Sequence, residues 1–334
     1  MKATKGYSVK IFRAAPLNWH YISEIHIGLI DGIFCKHLRK KLGFHRQMFD
    51  DDFARLFRSN NRRSGSLFNI KSNDEAVVQK LLGNAETHSK DEKIRELVEE
   101  IAQLLIWLGR AYYFVYDNTE QEKVHLTSIN SGGVARIFGK HIQWVPKRTE
   151  KRWDQDDEEL SREIRILDGA KVIRFDMPRS IKSMLSAQNK TLALIDKYHF
   201  KATDFQPHAT HENPTPTNHF DFGVWNDTQE TAFYRATIST GWNGRKYDSL
   251  KRSDFFDCHR LIRFRRNQLL LRDDILNQLS VELSRIGKGY TAGFSVEISG
   301  TEKLPSVAHL DELAVRLDRE QVGFNEVIDY FYKG

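Results

Sequence analysis

The sequence is short of the features that define several common protein classes. Its 334 residues include two cysteines, Cys35 and Cys258, which argues against a disulfide-stapled fold and fits a reducing compartment. No apolar run approaches the roughly 20 residues that a membrane span needs. The charged N-terminus lacks the apolar stretch of a secretory signal. We therefore expect a cytoplasmic protein with no membrane partner.

Familiar catalytic motifs are missing as well. The patterns GxxxxGKS, GxxxxGKT, GxGxxG and GxSxG do not occur, so the sequence predicts neither a P-loop hydrolase, nor a Rossmann enzyme, nor an α/β-hydrolase. Acidic residues occur in adjacent runs such as Asp50-Asp51-Asp52, which usually face solvent. No catalytic residue can be assigned from the sequence, and whether the protein is an enzyme stays open at this stage.

What the sequence does have is concentrated positive charge. The net charge is +6, and two segments hold the excess. Residues 36–63 and residues 245–272 each contain nine Lys or Arg against three acidic residues. A basic chain favours an anionic partner, above all nucleic acid.

The apolar pattern predicts an α+β protein with a helical N-terminal region, a small central antiparallel β-domain and a helical C-terminal region. Residues 90–108 follow the i, i+3, i+4, i+7 rule, with Ser89 and Glu92 forming a capping box and Gly109 ending the helix. Further helices are predicted over 18–45, after Pro178, over 254–286 and as a cap over 305–334. We expect a helical region at 1–110, a β-rich domain with a trailing helix at 111–200, a loop or linker at 201–225 and a mainly helical domain at 226–334.

Short alternating segments predict the strands. They lie at 7–13, 110–116, 123–129, 140–145, 163–167, 171–175 and 290–299. Asp168-Gly169 predicts a two-residue hairpin of type I′ between two of these strands. The charged segment 147–162 is typical of a solvated loop, with a partner-binding arm as the alternative.

Seven arginines are the candidate contacts for nucleic acid. The planar guanidinium group binds phosphate through two parallel hydrogen bonds, and such contacts give salt-dependent affinity that is indifferent to sequence. The alternative is a solvated helix face whose arginines pair with nearby carboxylates. The seven candidates are Arg58, Arg62, Arg63, Arg260, Arg263, Arg265 and Arg266.

A proline-rich stretch contains the only candidate metal ligands. His208, His211, His219 and Asp221 together could bind a divalent ion such as zinc or manganese. Their spacing in a loop does not fix a shared face, and no HExxH pattern accompanies them. An exposed polar loop is the competing interpretation, and no other cofactor is predicted.

The middle third of the chain resembles part of a known family. A capped helix ends at Gly109 and leads directly into an aromatic strand through the string LGRAYYFV; a hairpin, a Gly132-Gly133 break and a long helix after Pro178 follow. This order of elements over residues 90–200 is similar to the wing-to-stem region of tailed-phage portal proteins. The resemblance implies a ring-forming subunit with basic surfaces facing DNA.

Three functions are therefore compatible with the sequence. The first is a non-enzymatic, portal-like assembly protein of a phage or mobile element, which lies next to nucleic acid and forms a homo-oligomer or larger assembly. The second is a metal-dependent nuclease or hydrolase, as found in anti-phage defence systems. The third is a protein–protein adaptor that binds neither nucleic acid nor metal.

Overall fold

The computed structural model describes residues 9–19, 29–35, 42–57, 66–82, 89–118, 123–152, 155–205, 222–245 and 253–332. The fold is mixed, with mainly helical regions on either side of a strand-rich centre, as the sequence predicted. The nine helices in the described ranges are α1 (Leu29–Phe34), α2 (Phe44–Ala54), α3 (Glu75–Leu82), α4 (Lys90–Leu108), α5 (Arg179–Phe205), α6 (Phe222–Thr240), α7 (Asp254–Gly287), α8 (Val307–Asp318) and α9 (Phe324–Tyr332).

Eleven strands in the described ranges form four sheets. They are β1 (Val9–Ala14), β2 (Phe68–Ser72), β3 (Arg110–Asn118), β4 (Lys123–Ser128), β5 (Val134–Ile137), β6 (Lys140–Val145), β7 (Arg148–Arg152), β8 (Gln155–Leu160), β9 (Arg162–Leu167), β10 (Val172–Asp176) and β11 (Val296–Gly300). The sheet orders are β1-β9-β6-β5, β10-β3-β4, β11-β2 and β7-β8. The β1–β9 pair is parallel, and the other strand pairs are antiparallel.

The helix α4 confirms the prediction for residues 90–108 in detail. The Ser89 side chain accepts from the backbone N–H of Glu92, and the Glu92 side chain accepts from the N–H of Ser89. Gly109 adopts a left-handed conformation with φ of 78° and closes the helix by donating to the carbonyl of Leu105. The apolar face of α4 is buried, so this helix lies at the centre of the largest core cluster.

That cluster joins the helices α2, α3, α4, α5 and α7 to the sheet faces around them. From α5 it takes the stripe Ile181, Leu185, Leu192 and Ile195, and from α7 it takes Leu271, Ile275, Leu279 and Leu283. Both stripes follow the helical spacing seen in the sequence. The two long helices α5 and α7 also contribute residues to the candidate groove.

Three local predictions are wrong. The Asp168-Gly169 hairpin does not form, because β9 pairs with β6 and β1 while β10 pairs with β3; the turn carries the chain between two sheets. The turn is instead closed by the carbonyl of Asp168, which accepts from the backbone N–H groups of Lys171 and Val172. The charged segment 147–162 contains the strand pair β7–β8 in place of a loop. The helix predicted over 18–45 does not form as one element, because Leu42 and Gly43 are not helical and α2 begins only at Phe44, after a glycine without a side-chain cap. The C-terminal cap is helical, as predicted, and consists of α8 and α9.

Candidate anion-binding groove

Four of the seven predicted arginines lie on α7, and they point to different sides of this helix. Arg260, Arg263, Arg265 and Arg266 all belong to this 34-residue helix. Since α-helical residues advance by 100° each, neighbours in sequence point to different sides. Arg58, Arg62 and Arg63 lie outside the described residues.

Arg265 faces the protein interior. Its side chain is buried, with the residue 5% exposed, and it donates from Nη1 to the side-chain oxygen of Gln268 at 3.1 Å. Gln268 in turn donates to the backbone carbonyls of Asp52 and Arg55, at the C-terminal end of α2. Arg265 therefore belongs to the contact between α7 and α2 and is not in a position to meet a polymer at the surface.

Arg260 is bound to its own helix. It donates from Nε to Asp257 Oδ1 at 2.5 Å, three residues earlier, and its side chain is 12% exposed. Arg260 therefore pairs with a nearby carboxylate, which is the alternative to a phosphate contact.

Arg263 and Arg266 remain at the surface, and they share one groove. The groove has a volume of about 460 Å³ and lies between α5, α6, α7 and α8. Apart from the two arginines its polar lining consists of Ser180, Ser239, His259, Asn267 and Asp311. The groove is therefore lined by hydrogen-bond donors from three helices, with one carboxylate on its α8 side.

The two arginines are held differently. Arg263 is exposed and donates from Nη1 to the carbonyl of Ile238, close to the C-terminal end of α6. Arg266 forms a two-point contact with Asp311 of α8, Nε to Oδ1 at 2.5 Å and Nη2 to Oδ2 at 3.2 Å. The hydrogen bond from Arg266 holds the pKa of the Asp311 carboxyl below its ordinary value, and the same bond raises the pKa of Arg266.

The Arg266–Asp311 pair is open to water. The side chains are 40% and 50% exposed, so the pair contributes little to folding and can exchange partners. A phosphate that enters the groove has to replace Asp311 at the guanidinium group of Arg266. It gains in return a two-point contact with that group and the unused donors of Arg263.

Two further polar groups lie at the groove, the N-terminal end of α5 and the imidazole of His259. Ser180 stands in the first turn of α5, a 27-residue helix whose N-terminal end carries partial positive charge. Nε2 of His259 lies 3.0 Å from the carboxylate of Asp318, and this pair joins α7 to α8.

Sequence reasoning missed both Asp311 and His259. The Arg266–Asp311 pair joins residues 45 positions apart, and no local pattern indicates it.

The four predicted metal ligands fall in one interval of the chain. His208, His211, His219 and Asp221 all lie outside the described residues, in the interval between α5 and α6. Among the residues that are described, no group of three or more His, Cys, Asp or Glu side chains is arranged to hold a metal ion. The divalent-metal site remains a prediction.

Comparisons with known proteins give distant structural neighbours. No protein-family model matches the chain, and no curated protein matches its sequence. A chain from the neck of an empty GTA particle computed with C6 symmetry is 11% identical, with a TM-score of 0.41 over 82% of this chain and 86% of that chain. A chain from the virion of a native gene transfer agent (GTA) particle is 12% identical, with a TM-score of 0.39 over 83% of this chain and 86% of that chain.

Within the described ranges, no helix has the length and apolar composition required to cross a membrane.

Proposed function

We propose that this chain is a non-enzymatic structural subunit of a phage or mobile-element assembly, working in the cytoplasm, and that it contacts nucleic acid through Arg263 and Arg266. The observation on which the nucleic-acid contact rests is the shared groove of these two side chains. They occupy one exposed face of α7, whereas Arg260 and Arg265 are used inside the protein.

The assembly role is supported by an apolar surface near the N-terminal end. Helix α1 turns Asp31 inward, where its carboxylate accepts from Arg162 and from the indole N–H of Trp144. The opposite side of α1 leaves Leu29 and Ile33 exposed, at 74% and 54%. Exposed apolar clusters of this kind mark protein–protein contacts, and we assign this one to a second copy of the chain.

The phage context comes from the sequence resemblance over residues 90–200. Its central feature, a capped helix leading through Gly109 into an aromatic strand, is present as α4 and β3. The resemblance implies a ring, in which each copy would place its groove at an equivalent position along a nucleic acid.

The nucleic-acid contact is tested by three variants measured by fluorescence anisotropy on a short DNA duplex. The double charge reversal R263E/R266E should weaken binding and lower the slope of log affinity against log salt by up to about 2, because two phosphate contacts are lost. The variant D311N should strengthen binding several-fold, because it removes the carboxylate that competes for Arg266. The matched control is K71E/K303E, which reverses two exposed lysines away from the groove.

The opposite signs of the R263E/R266E and D311N effects are the decisive result. Equal losses in R263E/R266E and the control would reduce the effect to net charge and overturn the assignment. Binding by the unaltered chain that stays constant between about 50 and 300 mM salt would overturn the phosphate contact itself.

The assembly role is tested by mass photometry of the full chain. The unaltered protein should form oligomers, and L29S/I33S should shift the distribution toward monomer. The control T301S changes a residue elsewhere and should leave the distribution unchanged. A monomeric unaltered chain, with and without nucleic acid, would contradict the proposal.

A further inference from the structure

A second cluster of basic side chains lies on the strand-rich part of the molecule, apart from the α7 groove. At its centre is His141 on β6. Arg136 on β5 is its direct cross-strand partner, so the two side chains lie on the same face of the sheet. Neither residue belongs to the basic segments that the sequence analysis singled out.

Other strands and α7 complete the cluster. The ring of Tyr112 on β3 packs edge-on against the His141 ring, with centroids 5.8 Å apart. Arg174 on β10 is the cross-strand partner of Tyr112 and therefore lies on the same face as that ring. Arg285 of α7 donates to the carbonyl of Ala170, in the turn before β10, and to that of Val172, the first residue of β10.

The hydrogen bonding of His141 is incomplete. Both ring nitrogens, Nδ1 and Nε2, are buried and have no hydrogen-bond partner among the residues that the structure describes. A neutral imidazole always carries one N–H donor and one acceptor, and buried polar atoms of this kind normally have a partner. A donor held among cationic side chains fits a negatively charged partner.

The positive charge around His141 is only partly neutralised. Arg174 pairs with Asp176 at 2.7 Å, and Arg285 pairs with Glu282 at 2.7 Å. Arg136 is exposed, and no carboxylate among the described residues lies within ion-pair distance of it. Burial lowers the pKa of His141, and Arg136, Arg174 and Arg285 lower it further.

We propose that the face around His141 is a binding site for a phosphate group, held by the guanidinium groups of Arg136 and Arg174 with the imidazole of His141 as a third donor. Arg285 positions the neighbouring turn through its carbonyl contacts and does not take part. The chemistry is that of a phosphate oxyanion, whether it belongs to a nucleic-acid backbone or to free phosphate. The site is independent of the α7 groove.

The geometry of two guanidinium groups favours phosphate over a carboxylate. A guanidinium group donates two parallel hydrogen bonds to a pair of oxygen atoms. The tetrahedral oxygens of phosphate can be shared between two such groups, whereas a carboxylate offers only two oxygens. The exposed faces of Arg136 and Arg174 leave these groups accessible, since the Arg174 side chain is 34% exposed in spite of its pairing with Asp176.

The test is a titration of the full chain with inorganic phosphate at constant ionic strength, followed by NMR of the histidine ring protons. The chain has 13 histidines, and the His141 signal is identified as the one absent in H141Q. Phosphate should shift this signal saturably and raise the pKa of His141, because a bound anion offsets the surrounding arginines. The charged groups that face His141 are Arg136, Arg174 and Arg285, and all three stay unaltered in this experiment. Lys140, the preceding residue on β6, points to the opposite face of the sheet.

The variant R136Q should abolish the response, and it is expected to fold because Arg136 is exposed on an edge strand. The matched control is R319Q, which alters an exposed arginine at the C-terminal end of α8 and should keep the response. A second arm replaces phosphate by a short DNA duplex. The same shift with DNA identifies the nucleic-acid backbone as the source, and a shift with phosphate alone identifies the free anion.

Two results would overturn the proposal. The first is a His141 signal that does not move in either arm, which would be expected if only water occupies the position. The second is an undiminished response in R136Q, measured on a variant whose thermal unfolding matches that of the unaltered chain.

Discussion

The carboxylate of Asp196 caps helix α2 by accepting two hydrogen bonds from His45. One comes from the backbone N–H and one from Nδ1 of the ring, both at 2.9 Å. The helix begins after Gly43, which offers no side-chain cap of its own. A Cβ atom at Gly43 would lie 1.9 Å from Asp196 Oδ2, so glycine at this position makes room for the carboxylate of another helix.

The first prediction concerns this contact between α2 and α5. The variant D196N should lower the free energy of unfolding by about 1–3 kcal/mol, because a buried charge-assisted cap is lost. The variant G43A should destabilise the protein as well, since the added methyl group displaces the carboxylate. Chemical denaturation measures both effects, with the exposed Asp227→Asn on α6 as control. Unchanged stability in D196N would show that the contact contributes nothing.

The second prediction is a pH dependence with a defined sign. Burial acts to raise the pKa of Asp196, but the hydrogen bonds from His45 outweigh it, and the net pKa is lowered. The stabilisation is therefore present above the unfolded-state value of about 3.9 and is lost as pH falls through the folded-state pKa. Unfolding curves between pH 7 and pH 3 should show a smaller acid-induced loss in D196N than in the unaltered chain. Parallel curves would contradict the assignment.

The third prediction concerns the junction of α4 and β3. Gly109 has a φ of 78°, where a side chain is strained even though nothing lies within 4 Å of the Cβ position. The variant G109A should cost about 1 kcal/mol from the backbone alone. Gly169 lies in an exposed turn without a positive φ, and a Cβ atom there would make only an ordinary contact, so G169A is the control and should be close to neutral. A thermal-melting comparison of the two variants measures the difference, and equal melting temperatures would refute the strain argument.

The helices α4, α5 and α7 were predictable because their signals are local. The capping box at Ser89, the stop at Gly109 and the apolar stripes of α5 and α7 lie within a few residues of the structure they determine. The pairing of β9 and β10 could not be predicted in the same way. Asp168-Gly169 predicts a tight turn correctly, but only contacts with distant strands decide that the turn joins two sheets.

The candidate site was predictable only in part, for the same reason. Arg263 and Arg266 stand three positions apart, a spacing that brings two side chains to the same face of a helix, and both line the groove. The burial of Arg265 depends on Gln268 and on the end of α2, which lies more than 200 residues earlier. The cluster at His141 has no sequence signal, because its members come from separate strands and from α7.

The fourth prediction separates the proposed function from its metal-dependent rival. Three histidines and one aspartate in the proline-rich segment 206–221 have no spacing that fixes a common geometry. Elemental analysis of the purified chain should therefore find less than about 0.1 metal ion per molecule. Stoichiometric zinc or manganese that disappears in H208A/H211A/H219A, together with chelator-sensitive cleavage of DNA, would favour the nuclease.

The last prediction concerns the two thiols. Cys35 and Cys258 are both free and 0% exposed. Burial raises the pKa of Cys35 to about 12 and that of Cys258 to about 11, and nearby acidic residues add to both shifts. Because the thiolate is the reactive form, a maleimide at pH 8 should leave the folded protein unlabelled. In denaturant the same reagent should add two labels per chain, counted by mass spectrometry. Rapid labelling of either cysteine without denaturant would mean that its surroundings, the strand β6 beside Cys35 or the α7–α9 contact beside Cys258, open in solution.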